Sequence, residues 1–191
     1  MDIILASKSP RRRELLSELY DKFDIMSADA DEDISGVAPS RSVEILAKRK
    51  GDALYDLLSA SDPKRAEDAV IISSDTLVAL DGVALGKPRD EADAVRMLRS
   101  LSGKRHFVHT GIAVRRGERS TSGVATTAVY FKELSDSEIE LYVKSGDPMD
   151  KAGSYGIQSG AGVFVDHIEG DYDTVVGLSL ALLRKLIKEV E

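Results

Sequence analysis

The chain has no cysteine and no tryptophan, few aromatic residues, and fewer cations than acids. The lack of cysteine excludes disulfides, thiolate metal sites, iron–sulfur ligation and a cysteine nucleophile. Four Phe and six Tyr leave little from which to build a base-stacking platform. With 26 basic residues against 33 acidic ones the net charge is −7, which argues against general nucleic-acid binding, and no nucleic-acid partner is expected. No apolar run approaches the ~20 residues that span a bilayer, so no membrane partner is expected either. After Met1, the run Asp2-Ile3-Ile4-Leu5-Ala6 is too short for a signal-peptide core and carries an acid where a cation belongs, so a cytoplasmic protein is expected. At 42% hydrophobic and 31% charged the composition is that of a soluble globular protein, and 191 residues suffice for one domain over residues 1–191.

What remains is a regular succession of apolar runs and amphipathic stretches. Residues 2–6 predict a short buried strand. Ser9 as N-cap with Pro10 at the first helical position predicts a helix to about Tyr20. Ser40 is expected to cap a second helix with Val43, Leu46, Ala47, Leu54, Leu57 and Leu58 on one face. The polar stretch Asp62-Pro63 to Asp68 is expected as a connection. Ala69-Val70-Ile71-Ile72 predicts a central strand, and Asp81-Gly82 between residues 78–80 and 83–85 predicts a two-residue hairpin. A helix over 90–101 stopped by Gly103 follows, then antiparallel strands over 105–116 and 119–132. Ser135 and Glu138 have capping-box spacing and open a helix ending near Gly146. Residues 161–168 predict a strand and 178–190 a terminal helix. Helices alternating with strands, with hairpins among them, predict an α/β fold in which helices flank a mixed sheet.

Four stretches carry candidate chemistry. Ser7-Lys8-Ser9-Pro10-Arg11-Arg12-Arg13 places four cations and no acid at a strand-to-helix turn. Arginine at a helix N-terminus opposes the macrodipole, a cost of about 0.3–1 kcal/mol per charge, so the turn suits an incoming anion such as phosphate. The competing reading is a solvated basic turn balanced by Glu14 and Glu18. Ile71-Ile72-Ser73-Ser74-Asp75-Thr76 reads as an apolar strand ending in a carboxylate, a position suited to catalysis or metal binding or, more simply, to capping a turn. Asp29, Asp31, Glu32 and Asp33 offer hard oxygen ligands, of which Mg²⁺ needs only one or two when phosphates supply the rest. Residues 146–162 hold five glycines, so backbone can approach a ligand closely, with Lys151 and Gln158 offering a charge and a two-sided amide. Lys87 adds a cation after the hairpin. His106 and His109 lie three apart in a strand, on opposite faces, which disfavours a shared metal. No Walker loop, G-x-S-x-G, H-E-x-x-H or G-x-G-x-x-G occurs.

In this order the segments resemble the Maf family, nucleoside triphosphate pyrophosphatases also described as septum-formation inhibitors. The resemblance is carried by Leu5-Ala6-Ser7-Lys8-Ser9-Pro10-Arg11-Arg12-Arg13-Glu14-Leu15-Leu16, Ser74-Asp75-Thr76-Leu77-Val78, Leu85-Gly86-Lys87-Pro88, Leu101-Ser102-Gly103, Asp150-Lys151-Ala152-Gly153-Ser154-Tyr155-Gly156-Ile157-Gln158, and Gly170-Asp171-Tyr172 with Val175-Val176-Gly177-Leu178. It implies an elongated mixed α/β fold of two lobes with a central cleft, shared with inosine triphosphatase-like enzymes, and commonly a homodimer. It also implies hydrolysis of a nucleoside triphosphate to monophosphate and pyrophosphate with a divalent cation, Mg²⁺ or Mn²⁺. Asp75 falls where the family places its proton acceptor. Arg11, Thr76 and Gln158 match the dTTP/UTP-directed branch, whereas the sister branch carries Trp, Gln and Glu there. Glu32 and Lys50 match a family acid and a family lysine. Ser179 departs from the usual Pro, which bears only on how the last helix starts.

These assignments suit triphosphate hydrolysis, which asks for charge neutralisation, a cation and a positioned water. Ser7, Arg11, Arg12, Arg13, Lys50, Lys87 and Lys151 are the expected phosphate ligands, and Glu32 and Asp75 the expected metal ligands. Asp75 fits equally as base or as metal ligand. Gln158 can donate to and accept from a pyrimidine edge, whereas an ionised Glu could only accept. The alternative is a nucleotide-binding regulator of cell division without turnover.

Overall fold

A computed structural model describes residues 1–191. The first strand, β1 (Ile3–Leu5), leads through α1 (Pro10–Ser17) to β2 (Asp24–Ile25). Two helices, α2 (Pro39–Ser61) and α3 (Pro63–Asp68), then lead to the long β3 (Val70–Leu80), which turns into β4 (Val83–Leu85). Beyond α4 (Glu91–Leu101) come β5 (Arg105–Arg116), β6 (Arg119–Phe131) and α5 (Asp136–Lys144). Three short 3-10 turns, over 147–150, 152–154 and 160–164, precede β7 (Val165–Glu169), α6 (Tyr172–Val176) and α7 (Leu180–Val190). The strands form one seven-stranded mixed sheet in the order β2-β1-β3-β5-β6-β7, with β4 also on β3. β2, β1 and β3 are parallel, and the other pairs are antiparallel.

Helices cover both faces of this sheet. Alternation along β1 sends Ile3 and Leu5 to one side, against Leu15 and Leu16 of α1 and Leu183 and Ile187 of α7. Ile4 and Ala6 point to the other side, against Leu54, Tyr55 and Leu58 of α2. A separate core joins the far ends of β3, β5 and β6 to α4, α5 and the glycine-rich segment through Val78, Val108, Val129, Phe131, Leu98, Ile139 and Tyr155. Two lobes follow, with the long strands running through both.

The boundary between the lobes is set by the edge of β3. β1 pairs only with Val70–Ile72 and β4 only with Val78–Leu80, so residues 73–77 have no neighbouring strand on that side. β1 also lies between two connections on opposite faces, α1 leading from it to β2 and α2 with α3 leading from β2 back over it to β3. Open sheets bind ligands beyond the carboxyl end of such a strand.

The close approach of α2 to the sheet depends on two glycines. A Cβ at Gly111 of β5 would lie 2.2 Å from the Val43 carbonyl oxygen. A Cβ at Gly51 would lie 2.8 Å from Ser73 Oγ, which itself donates to the Ala47 carbonyl at 2.6 Å.

Most predicted elements are present, with several corrections. Asp75 does not end a strand, because Thr76–Leu80 stay paired with β5 or β4 and carry β3 on, which leaves Asp75 mid-strand opposite Gly111. Residues 63–68 are helical, since Pro63 sits at the first helical position and Asp62 accepts the Arg65 N–H. Ser40 is not the cap of α2, because Pro39 takes the first helical position and Ala38 precedes it. Leu57 is exposed at the rim of the α2 face, while Gly51 and Tyr55 are buried. Ser9 holds the N-cap position of α1 without a side-chain cap bond. The strand expected over 161–168 begins only at Val165, after a 3-10 turn. Helix α6 is an addition. The capping box of α5 and the Asp81-Gly82 hairpin are as expected, the latter with φ of 51° and 78°. Ser179 caps α7 by accepting the Leu182 N–H.

Candidate active site

A cleft of about 220 Å³ lies along the unpaired edge of β3, between the β1–α1 turn, α2 and the glycine-rich segment. It brings together Arg11, Arg12, Lys50, Asp75, Thr76, Lys87, Lys151 and Gln158, which are spread over nearly 150 positions of sequence. Ser7 is buried and meets the cleft through Arg12, and Glu32 meets it through Lys50. Arg13 is the exception. One residue further round α1, it is exposed and lines a separate shallow depression with Ser17, Asp21 and the start of the chain.

On the α2 side, Lys50 Nζ lies 2.6 Å from Asp75 Oδ1 and 3.0 Å from Glu32 Oε1. Burial works to lower the Lys50 pKa, but the two carboxylates outweigh it and the net shift is upward, so the ammonium persists. The second Asp75 oxygen takes no hydrogen bond from the chain.

On the α1 side, Arg12 is tied to three separate segments. Its Nε donates to the Gly177 carbonyl at 3.0 Å, one terminal nitrogen to Ser7 Oγ at 3.3 Å, and the other to Thr76 Oγ1 at 3.1 Å. A guanidinium has five donors, so two remain for a ligand. Burial lowers the Arg12 pKa while the Asp75 charge raises it, and a guanidinium stays charged throughout. Thr76 Oγ1 also meets Thr110 Oγ1 at 3.0 Å, and Thr110 lies 2.7 Å from the Thr174 carbonyl, which fixes the Thr76 hydroxyl as donor to Thr110 and acceptor from Arg12. Arg11 reaches Asp150 at 3.6 Å.

The far wall is the glycine-rich segment. Gly153 has φ of +68°, and a Cβ there would lie 2.9 Å from Val78 of β3, so the chain turns tightly against the sheet. Exposed Gln158 and Lys87 face the opening, and Lys87 has no ion-pair partner.

Asp75 and Glu32 converge on Lys50, and no cluster of three His, Cys, Asp or Glu side chains exists to cage a metal. Two hard oxygen donors fit a cation such as Mg²⁺ that takes its remaining ligands from water and phosphate.

The profile of the Maf-like protein family matches residues 2–190. The chain belongs to the Maf family. Among its Maf relatives, a dTTP/UTP pyrophosphatase of Pelotomaculum thermopropionicum is 45% identical over 191 aligned residues, covering 98% of this chain and 96% of its own length. The dTTP/UTP pyrophosphatases of Thermococcus gammatolerans and Clostridium beijerinckii are each 44% identical, covering 96% and 100% of this chain and 94% and 100% of their own. The fold is shared with the Staphylococcus aureus Ham1 protein, at a TM-score of 0.55 and 14% identity over 98% of both chains. No helix is long and apolar enough to cross a membrane.

Residue-by-residue reading of the sequence missed Thr110, Tyr142, Asp147 and Ser159, whose side chains hold the cleft-lining residues. Only the Asp147–Lys151 pair, at i and i+4, left a signal in the chain.

Proposed function

We propose that this Maf protein is a pyrophosphatase of dTTP and UTP, cleaving the α–β anhydride to give the nucleoside monophosphate and pyrophosphate. The observation that carries the reading is Lys50 bridging Asp75 and Glu32 on one wall of a cleft whose other walls present Arg11, Arg12, Lys87 and Lys151. A triphosphate brings about four negative charges, and those cations neutralise it while the carboxylates oppose it, which leaves room for a cation and a water.

In this reading Arg12, Lys87 and Lys151 hold phosphate oxygens, and Arg11 does so once its exposed Asp150 contact gives way. Ser7 acts indirectly, by fixing the Arg12 guanidinium. Asp75 accepts the proton of the attacking water through its second oxygen as the new P–O bond forms and the bridging P–O bond breaks, with pyrophosphate departing. Lys50 keeps the Asp75 carboxylate oriented. Asp75 and Glu32 are the residues that would hold a divalent cation. Bound there, Mg²⁺ or Mn²⁺ supplies charge neutralisation at the phosphates and a more acidic water. Gln158 reads the pyrimidine edge, with a donor and an acceptor on one amide. Arg13 is left out of the phosphate set because of its placement.

The remaining features are proposed with it: one Maf-type domain over residues 1–191, a cytoplasmic location, a homodimer, and the involvement in septum formation that the family description suggests. The deciding experiment is pyrophosphate release from a nucleotide panel with and without Mg²⁺ or Mn²⁺. Metal-dependent turnover of dTTP and UTP above other nucleotides is expected. Nucleotide binding with no turnover under any condition would overturn the enzyme reading and favour a regulator.

A further inference from the structure

We propose that Asp147 is a positioning residue for the cleft, clamping the segment 147–159 so that Lys151 and Gln158 are presented together. The roles of Lys151 and Gln158 rest on the pyrophosphatase reading, whereas the clamp itself rests on the geometry alone.

Asp147 follows α5 and does not line the cleft, yet each of its oxygens is engaged. Oδ2 accepts from Tyr142 Oη at 2.5 Å and from Ser159 Oγ at 2.5 Å. Oδ1 accepts from Lys151 Nζ at 3.0 Å, and the Asp147 carbonyl accepts from the same ammonium at 2.6 Å. The Tyr142 hydroxyl, with its proton committed to Asp147, accepts the Gly156 N–H at 3.2 Å. One carboxylate therefore holds the segment at Lys151, at Gly156 through Tyr142, and at Ser159. Gln158 lies between the last two anchors, so its backbone position is set from both sides.

The energetics require such a partner. The Lys151 side chain is only 10% exposed, and a buried ammonium without an acceptor is costly. Its third partner, Asp150 Oδ1 at 2.7 Å, belongs to a side chain that is 66% exposed and also faces Arg11. An incoming phosphate can take the place of that open carboxylate, while Asp147 stays and keeps the ammonium aimed. Gly156 completes the arrangement, since a Cβ there would lie 2.7 Å from Lys151 Cε. Burial works to raise the Asp147 pKa, but the Ser159 and Tyr142 hydroxyls and the Lys151 ammonium outweigh it, so the clamp stays ionised at neutral pH.

The test compares Asp147→Asn, Tyr142→Phe and the surface variant Ser159→Ala with Lys151→Met and the Asp147→Asn/Lys151→Met double variant. Amide hydrogen exchange over 156–159 is expected to accelerate in the first three variants, with the melting temperature close to wild type in Ser159→Ala and lowered in Asp147→Asn, where the buried ammonium loses its ionised partner. Misplacing a binding group by an ångström can cost about 100-fold, so Asp147→Asn should lower kcat/KM for UTP by about 10–100-fold and narrow the preference for UTP over CTP. The part of that loss acting through Lys151 should be less than additive in the Lys151→Met background, while the narrowed preference for UTP over CTP, which acts through Gln158, should persist there. Unchanged exchange in all three variants, or fully additive losses in the double variant, would overturn the proposal. Should wild type show no turnover, the pyrophosphatase reading fails separately, and the clamp is decided by exchange together with calorimetric binding of inorganic pyrophosphate.

Discussion

Lys50 Nζ on α2 and Asp75 Oδ1 in the middle of β3 lie 2.6 Å apart, a pair that exists only because α2 crosses the sheet at two glycines. That crossing places a positive charge beside an in-strand carboxylate and keeps one of its oxygens open. Asp75→Asn keeps the shape and removes the base. General-base contributions of about 10²–10⁴ predict at least a hundredfold loss of pyrophosphate release from dTTP and UTP, with an unchanged circular dichroism spectrum. A folded variant with wild-type turnover would remove Asp75 as the base.

Gln158→Glu replaces a donor and acceptor by acceptors alone at the mouth of the cleft. The ratio of kcat/KM for UTP to that for other nucleotides is expected to fall by about tenfold, the worth of one recognition hydrogen bond of roughly 1.4 kcal/mol. An unchanged ranking would place base recognition elsewhere.

Gly111→Ala tests the crossing. The new methyl would lie 2.2 Å from the Val43 carbonyl oxygen and 2.3 Å from its carbon, so the α2 backbone must move and carry Lys50 with it. Overpacking of this kind costs about 1–3 kcal/mol, measurable by urea unfolding, and activity should fall with it. Gly51→Ala is the milder comparison, meeting at 2.8 Å a single side-chain hydroxyl that can yield by giving up its bond to the Ala47 carbonyl.

His106 predicts a pH dependence of stability. It is fully buried, Nε2 lies 2.8 Å from Tyr155 Oη, and burial pushes its pKa down to about 4. In the unfolded chain the value is about 6.5, so between the two the unfolded state binds the extra proton and stability rises with pH. This contribution is complete above about pH 6.5 and is lost progressively down to about pH 4, on the order of 3 kcal/mol in all. His106→Gln should flatten that part of the stability curve. Asp2, Asp93 and Asp147, whose pKa values are held low by arginine, hydroxyl and lysine partners, lose their contributions only below that window.

The elements that local chemistry controls were legible from the chain: the Ser135–Glu138 capping box, the Asp81-Gly82 turn, Pro10 at the start of α1, and the alternating β5 and β6. Those failing to follow local signals are where two signals compete. Asp75 resembled a strand end because a carboxylate is unusual inside a strand, and its neutralising partner is 25 residues away. Leu57 fits the helical period but lies at the rim of the α2 face, where it is exposed beside the buried Leu54 and Leu58.

The sequence by itself determined the family and the residue types of the cleft, because Ser7-Lys8-Ser9-Pro10-Arg11-Arg12-Arg13 and Asp150-Lys151-Ala152-Gly153 are local patterns readable without coordinates. Only the tertiary structure decided which cations meet. It turned Arg12 inward to Gly177 and Thr76 and left Arg13 outside, although the two are neighbours, because successive helical residues point about 100° apart. It also made Asp147 the holder of Lys151, Tyr142 and Ser159, since burying an ammonium demands an acceptor that spacing along the chain does not reveal.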